Sequence, residues 1–130
     1  MTESIQLSTI LPASPERIYR AWLDEHEHAA FTGGAAATID PGLGGKFSAW
    51  DGYITGTNLA LDPGRRILQA WRTTEFPAGS PDSQLEVLLE AVEGGARLSL
   101  LHTGIPDGQG QEYYQGWEDY YFKPMLEYFA

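Results

Sequence analysis

Three histidines are the first candidates for proton transfer or metal binding in this sequence, because imidazole titrates near neutral pH. His26 and His28 lie in the acidic segment DEHEH, residues 24–28. Histidines two positions apart point to different sides of a helix, which is poor geometry for holding one metal ion. The neighbouring carboxylates are expected in solvent. The segment therefore predicts an exposed helix, and no metal site is assigned.

His102 ends an apolar alternation, ARLSLLHT at residues 96–103. Its parity with Leu98 and Leu100 points the ring toward the interior. The imidazole is either satisfied by a neighbouring carbonyl or tyrosine hydroxyl, or it serves as a hydrogen-bonding or acid–base group in an apolar pocket. No serine lies in a Gly-x-Ser-x-Gly elbow, and nothing marks a nucleophile beside a base. The residues favour binding over catalysis, and no catalytic residue is assigned.

A glycine-rich segment, DPGLGGKF at residues 40–47, is partly similar to a phosphate-binding loop. That pattern requires Gly-Lys followed by Ser or Thr and then a helix. Phe47 stands where the hydroxyl residue is needed, and the segment leads into a predicted strand. Nucleotide binding is therefore not expected, and no cofactor is predicted.

The aromatic side chains offer the remaining chemistry, since the segment GWEDYYFKPMLEYF (residues 116–129) contains six rings. At helical spacing Tyr114, Trp117 and Tyr121 fall on one stripe. Tyrosine hydroxyls and indole N–H groups need partners when buried, so a dry core would favour Leu, Ile and Phe. Either these rings pack as an ordinary core, or they line a cavity for a small hydrophobic or aromatic ligand. The candidate ligand-binding residues are Trp50, Tyr53, Trp71, His102, Tyr114, Trp117 and Tyr121.

The elements that position these residues follow from the periodicity of the sequence. Residues 4–10 alternate as a half-buried strand does. Ser14 is a candidate N-cap with Pro15 at the first helical position, and an amphipathic helix follows. A second short helix covers DEHEHAAF, residues 24–31.

Residues 36–105 show the patterns of strands and turns. The segment WDGY, residues 50–53, predicts a type I′ hairpin turn that places Trp50 opposite Tyr53. The apolar residues on the two sides of this turn fall on opposite faces of the ribbon, so they cannot all face one core in a regular strand. This predicts a bulge between Gly56 and Leu59, which would reverse the alternation.

The last segment of the chain is predicted to be one long helix with a wide apolar arc. Pro124 removes one internal hydrogen bond, so the helix should bend or loosen near Tyr120. Such a helix can be buried only against the concave face of a curved antiparallel sheet. The sequence therefore predicts a single α+β domain over residues 1–130, with about six to seven antiparallel strands curved around the C-terminal helix.

Composition narrows the possible partners. The 130 residues include no cysteine, which excludes disulfides, thiolate catalysis and zinc ribbons. A formal net charge of −10 disfavours phosphate backbones and anionic lipid, so neither nucleic acid nor a membrane is expected as a partner. The N-terminus lacks the basic start and apolar run of a signal peptide, and no stretch approaches the roughly 20 apolar residues of a membrane span. A cytoplasmic location is expected.

Several segments together resemble the START-like SRPBCC superfamily, and more closely its Aha1-like branch, named for the C-terminal domain of the activator of Hsp90 ATPase. These segments are ASPERIYRAWLD, GGKFSAWDGYITGTN, LDPGRRILQAW, LSLLHTGIPDG and GWEDYYFKPM. The resemblance extends from about Ile5 to Phe129 and implies a helix-grip (START/Bet v 1-like) fold with a cavity between the sheet and the terminal helix. The superfamily includes lipid and polyketide carriers, cyclases and co-chaperones, so the resemblance implies no single function.

Three functional hypotheses follow. The first is a binding protein for a small hydrophobic or aromatic molecule. The second, implied by the resemblance, is a protein-interaction domain that engages an Hsp90-type chaperone, with Arg65, Arg66 and Arg72 as candidate contacts. The third is an enzyme that acts on a ligand in the same cavity, and it depends on His102 alone.

Overall fold

The computed structural model describes residues 2–130, and its strands form a single antiparallel sheet. The strands are β1 (Thr2–Leu11), β2 (Thr38–Ile39), β3 (Lys46–Ala49), β4 (Ile54–Asp62), β5 (Arg66–Thr73), β6 (Ser83–Val92) and β7 (Gly95–Pro106). Their spatial order is β1-β7-β6-β5-β4-β3-β2, so β7 crosses back to pair with the first strand. The predicted α+β class and the number of strands are confirmed.

Two short helices connect β1 to β2; the first begins at the predicted cap, Ser14, and the second begins at Asp24. In α1 (Pro15–Leu23) the Ser14 hydroxyl accepts the backbone N–H of Arg17 at 3.1 Å. In α2 (Glu25–Phe31) the Asp24 carboxylate accepts two backbone N–H groups of the first turn. These bonds satisfy N–H groups that a helix leaves unpaired at its start.

The C-terminal helix is continuous but not uniform. It consists of α3 (Gly110–Trp117), a π-helical segment (Glu118–Phe122) and α4 (Lys123–Phe129). Pro124 has no N–H to donate to the carbonyl four residues earlier, and the N–H of Lys123 bonds the carbonyl of Glu118, five residues earlier. The loosening predicted near Tyr120 is confirmed. No helix within residues 2–130 is long and apolar enough to cross a membrane.

The hairpin between β3 and β4 turns at the predicted Asp-Gly pair. Positive φ angles occur at Asp51 (57°) and Gly52 (89°), and the N–H of Tyr53 bonds the carbonyl of Trp50 at 3.1 Å, so Trp50 and Tyr53 lie opposite each other as predicted. Trp50 also has a positive φ of 53°, and the N–H of Gly52 bonds the carbonyl of Ala49 at 3.2 Å. The last pair of the ladder is Ala49–Ile54, so Trp50 and Tyr53 belong to the turn rather than to the strands.

The predicted bulge is present in β4. Asn58 pairs with Gln69 whereas Ala60 pairs with Leu68, so Leu59 is an extra residue without a partner. The bulge reverses the parity of the strand, which lets buried side chains on both sides of it face the same core.

The core lies between the inner face of the sheet and the C-terminal helix. Strand β5 alternates strictly, with Ile67, Gln69, Trp71 and Thr73 buried. The helix contributes five buried side chains to this layer, namely Tyr113, Trp117, Tyr121, Phe122 and Met125. The sheet therefore holds the helix as the predicted helix-grip fold requires.

Candidate ligand-binding site

A cleft of about 280 Å³ lies between the sheet and the C-terminal helix, beside the β3–β4 turn. This volume is near the lower end of the roughly 300–1,000 Å³ typical of small-molecule pockets. Seven of its ten lining residues are aromatic, and we call it the aromatic cleft. It is lined by Trp50, Tyr53, Ile54, Trp71, Glu112, Tyr113, Gly116, Trp117, Tyr120 and Tyr121.

Five of the seven predicted binding residues line the aromatic cleft, and two do not. Trp50, Tyr53, Trp71, Trp117 and Tyr121 form its walls, whereas His102 and Tyr114 are absent from the lining. The ligand-binding role of these residues remains a prediction.

Tyr113, rather than Tyr114, faces the aromatic cleft, because it lies four residues before Trp117 on the same face of α3. Tyr114 is half-buried beside that face and packs against the core. The i, i+4 spacing of Tyr113 and Trp117 is visible in the sequence and could have identified Tyr113. Tyr120 lies three residues after Trp117 and seven after Tyr113, so it shares this helical face and could have been identified in the same way.

The walls of the cleft are rings in mutual contact. The centroid of Trp71 lies 5.1 Å from that of Tyr113 and 5.6 Å from that of Trp117. Trp117 in turn lies 4.7 Å from Tyr121, with the ring planes inclined at 59°. At the mouth, Trp50 and the exposed Tyr120 meet edge to face at 5.6 Å. These are the separations that aromatic pairs favour, so the walls are packed independently of any ligand.

His102 lies behind the cleft wall, where both of its ring nitrogens are hydrogen-bonded. The indole N–H of Trp117 donates to Nδ1 at 3.2 Å, which leaves Nε2 as the protonated nitrogen. Nε2–H then donates to the Ser83 hydroxyl at 2.8 Å, and this hydroxyl donates to the carbonyl of Trp71 at 2.7 Å. The chain of bonds fixes a neutral imidazole and joins Trp71 to Trp117. Burial lowers the pKa of His102 to about 3.

The prediction of an exposed helix around DEHEH is wrong for His28. His26 is exposed, but the His28 side chain is buried against the C-terminal helix. Its Nδ1–H donates to the carbonyl of Trp22 at 2.9 Å, and its Nε2 accepts the hydroxyl of Tyr121 at 2.8 Å. His28 and Phe31 lie three residues apart on the same face of α2, and both are buried. The acidic neighbours of His28 led to the prediction that this face is exposed. Burial lowers the pKa of His28 to about 4, and raises that of Tyr121.

A polar network closes one end of the aromatic cleft. The Thr73 hydroxyl and the Tyr113 hydroxyl are 2.7 Å apart, and Tyr113 donates to the side-chain oxygen of Gln109 at 2.6 Å. The side-chain amide of Gln109 donates to the Glu75 carbonyl at 3.0 Å. The Glu75 carboxylate accepts the hydroxyl of Tyr53. These bonds tie the loop after β5 to the first turn of α3 and fix two rings of the lining.

Two backbone N–H groups of the glycine-rich loop are hydrogen-bonded within the protein. The N–H groups of Gly44 and Gly45 bond the carbonyls of Asn58 and Gly42 at 2.8 and 3.0 Å, so they do not form an open phosphate cradle. No group of three or more His, Asp or Glu side chains in the described part of the chain is arranged to hold a metal ion.

The fold and the cleft define a helix-grip protein with an aromatic cavity under its C-terminal helix. Comparison with protein families matches residues 12–130 to the family described as "Activator of Hsp90 ATPase homolog 1-like protein". The chain belongs to this family, and the resemblance noted in the sequence is confirmed.

Three known proteins illustrate the relationship. The chain is 31% identical over 129 residues to the human activator of 90 kDa heat shock protein ATPase homolog 1, covering 99% of this chain and 38% of the human protein. Among solved structures, an HSP90 activator from Plasmodium falciparum has a TM-score of 0.89 and 22% identity, covering 96% of this chain and 94% of that one. Protein CV1439 from Chromobacterium violaceum has a TM-score of 0.77 and 31% identity, covering 97% and 96% of the two chains. The chain thus spans about two-fifths of the length of the human relative.

Proposed function

We propose that this protein binds a small apolar or aromatic molecule in the aromatic cleft. The observation that carries the proposal is the lining itself, in which seven rings surround about 280 Å³ of open space. Apolar clefts with a few fixed polar groups are the usual form of small-molecule sites. A planar ligand would bury its faces against Trp71 and Trp117 and gain roughly 25 cal/mol per Å² of apolar area.

The polar atoms of the walls support binding rather than catalysis. His102 does not line the aromatic cleft, and its two nitrogens are engaged by Ser83 and Trp117. The hydroxyl of Tyr121 is engaged by His28. These bonds hold the rings in place before a ligand arrives, which lowers the entropic cost of binding.

The test uses a helix position that can be filled without disturbing the core. Gly116 lines the aromatic cleft, and a Cβ added there would approach nothing closer than a Tyr120 ring carbon at 3.9 Å. Gly116→Leu should therefore fold, since leucine is favoured over glycine in helices, and should occupy the open space. Gln111→Leu, on the exposed side of the same helix, is the matched control.

Binding is measured by protein-observed NMR and calorimetry with a panel of apolar and aromatic compounds, after native mass spectrometry of the freshly purified protein. In the wild type and in Gln111→Leu we expect NMR chemical-shift changes that are confined to the cleft residues. In Gly116→Leu we expect binding to be lost. Binding that survives unchanged in Gly116→Leu, or no binding across the panel, would refute the proposal.

A second candidate function is regulation of an Hsp90-type chaperone. The observation in its favour is the 31% identity to the human activator over 99% of this chain. Of the three predicted arginine contacts, Arg65 and Arg66 lie in a second, charged depression beside Asp62 and Glu90, while Arg72 pairs with Asp82.

This candidate is tested by adding the protein to a purified Hsp90 and measuring ATP hydrolysis. We expect stimulation that declines with added salt and is reduced in Arg65→Ser, because interface charges steer association and are screened by ions. A rate of ATP hydrolysis unchanged by stoichiometric excess of the protein would reject it.

A further inference from the structure

The lining of the aromatic cleft contains one formally charged side chain, that of Glu112. No lysine, arginine or histidine is among its ten lining residues. Glu75 does not line the cleft but is held next to it, because its carbonyl accepts the side-chain amide of Gln109, three residues before Glu112, at 3.0 Å. Its carboxylate accepts the hydroxyl of Tyr53, which does line the cleft, so the carboxyl groups of Glu75 and Glu112 lie at the same end. The aromatic cleft therefore combines ring faces along its walls with a pair of carboxyl groups at the end where Tyr53 lies.

Neither carboxyl group is neutralised by a basic side chain within residues 2–130. The ion pairs of the described chain do not include Glu75 or Glu112. Arg72, on the neighbouring strand, is held instead by the Asp82 carboxylate at 2.8 Å and the Ser80 carbonyl at 3.0 Å. Desolvation, together with the hydrogen bond and charge of Glu75, raises the pKa of Glu112. Two adjacent carboxyl groups repel each other when both are ionised, and a cation placed between them would relieve that repulsion.

The ring faces favour the same kind of ligand. A cation within about 6 Å of an aromatic centroid is attracted by the negative face of the ring, and tryptophan is the strongest such partner. Three tryptophans, Trp50, Trp71 and Trp117, line the cleft. The formal net charge of −10 adds a field that draws cations toward the protein.

We propose that the aromatic cleft is selective for organic cations, with the apolar body of the ligand between the rings and its ammonium group at the Glu75–Glu112 pair. This inference rests on the proposed binding function and specifies the ligand class. A neutral aromatic compound gains only the apolar contacts of the walls. An aromatic carboxylate meets two carboxyl groups and no basic side chain in the lining, so it is disfavoured.

Three indole probes that differ in charge test the selectivity by calorimetry: tryptamine, indole-3-ethanol and indole-3-acetate. We expect tryptamine to bind at least about tenfold more tightly than indole-3-ethanol, and indole-3-acetate to bind most weakly. Glu112→Gln should remove most of the advantage of tryptamine over indole-3-ethanol. Glu93→Gln, an exposed position in the β6–β7 turn, changes the net charge equally and should have little effect.

Each other outcome is decisive. Equal affinities for the three probes would refute the charge selectivity while leaving the cleft as a binding site. An equal loss of tryptamine binding in Glu93→Gln and Glu112→Gln would assign the attraction to the net charge and refute the role of the carboxyl pair. If none of the probes binds, the proposed selectivity fails, and the binding function is judged separately by the apolar panel and the Gly116→Leu variant.

Discussion

Lowering the pH from 7 to 5 should destabilise this protein through its two buried histidines. Burial lowers the pKa of His28 to about 4 and that of His102 to about 3, against about 6.5 for an unfolded histidine. The unfolded chain therefore binds protons more readily than the folded one. The contribution of the two histidines to the free energy of unfolding is fully present above about pH 6.5. It decreases as the pH falls below this value, until the folded-state pKa values are reached.

The magnitude follows from these values. A difference of one proton between the two states changes the free energy of unfolding by about 1.4 kcal/mol per pH unit. Two histidines should together contribute a slope of about 2 kcal/mol per pH unit between pH 6 and 5, and a loss of about 4 kcal/mol from pH 7 to 5. Since a domain of this kind has about 5–15 kcal/mol of stability in total, the loss should be large. Glu3 and Asp119 have lowered pKa values, but their contributions are lost only at more acidic pH.

The assay is urea unfolding followed by tryptophan fluorescence at pH 7, 6 and 5. His28→Asn and His102→Gln remove one titrating group each, so each should lower stability at pH 7 but halve the slope between pH 6 and 5. His26→Gln removes an exposed histidine of the same helix as His28 and should leave the slope unchanged. A wild-type slope below about 1 kcal/mol per pH unit, or a slope that neither buried substitution reduces, would refute the reasoning.

Four further substitutions test the packing, each by urea unfolding at pH 7. Gly56→Ala would place a Cβ 1.9 Å from a backbone carbonyl oxygen of β5, so it should cost at least about 3 kcal/mol, whereas Gly116→Ala should be neutral or stabilising by up to about 1 kcal/mol. Ser83→Ala leaves the Nε2–H of His102 without its acceptor and should cost about 1–3 kcal/mol. Tyr121→Phe keeps the ring but removes the donor to His28, with a similar expected loss. Costs below 0.5 kcal/mol for the last two would mean that the buried hydrogen bonds are replaced by water.

Much of the fold could be predicted because local signals agree with the final structure. Ser14 and Asp24 begin the helices they cap, the parity conflict in β4 marks a bulge, and Pro124 marks the irregular part of the C-terminal helix. The Asp-Gly pair marks the β3–β4 turn, although the sequence gives no reason to expect the additional positive φ of 53° at Trp50.

The site was predicted less completely because its residues depend on tertiary contacts. Tyr113 and Tyr120 share the helical face of Trp117, but the wide apolar arc of this helix does not define which of its rings face the cleft and which face the core. Glu75 lies in a proline-rich loop, and its proximity to Glu112 results from the docking of α3 on the end of the sheet. His28 was assigned to solvent because four of its neighbours in DEHEHAAF are charged or polar, whereas its burial depends on a contact 93 residues away.

The buried histidines also explain why polar rings occupy the inner face of the C-terminal helix. The sequence suggested that tyrosine and tryptophan there would direct their polar atoms into a cavity, but the hydroxyl of Tyr121 and the indole N–H of Trp117 point to His28 and His102 instead. The hydroxyl of Tyr121 and the indole N–H of Trp117 therefore fix the positions of their rings, and the ring faces line the cleft. A ligand in the cleft would then find few hydrogen-bonding groups other than those at the Glu112 end, so its orientation would be set by the charge at that end. Selectivity for charge, rather than for hydrogen-bonding pattern, is the property that such a site can provide.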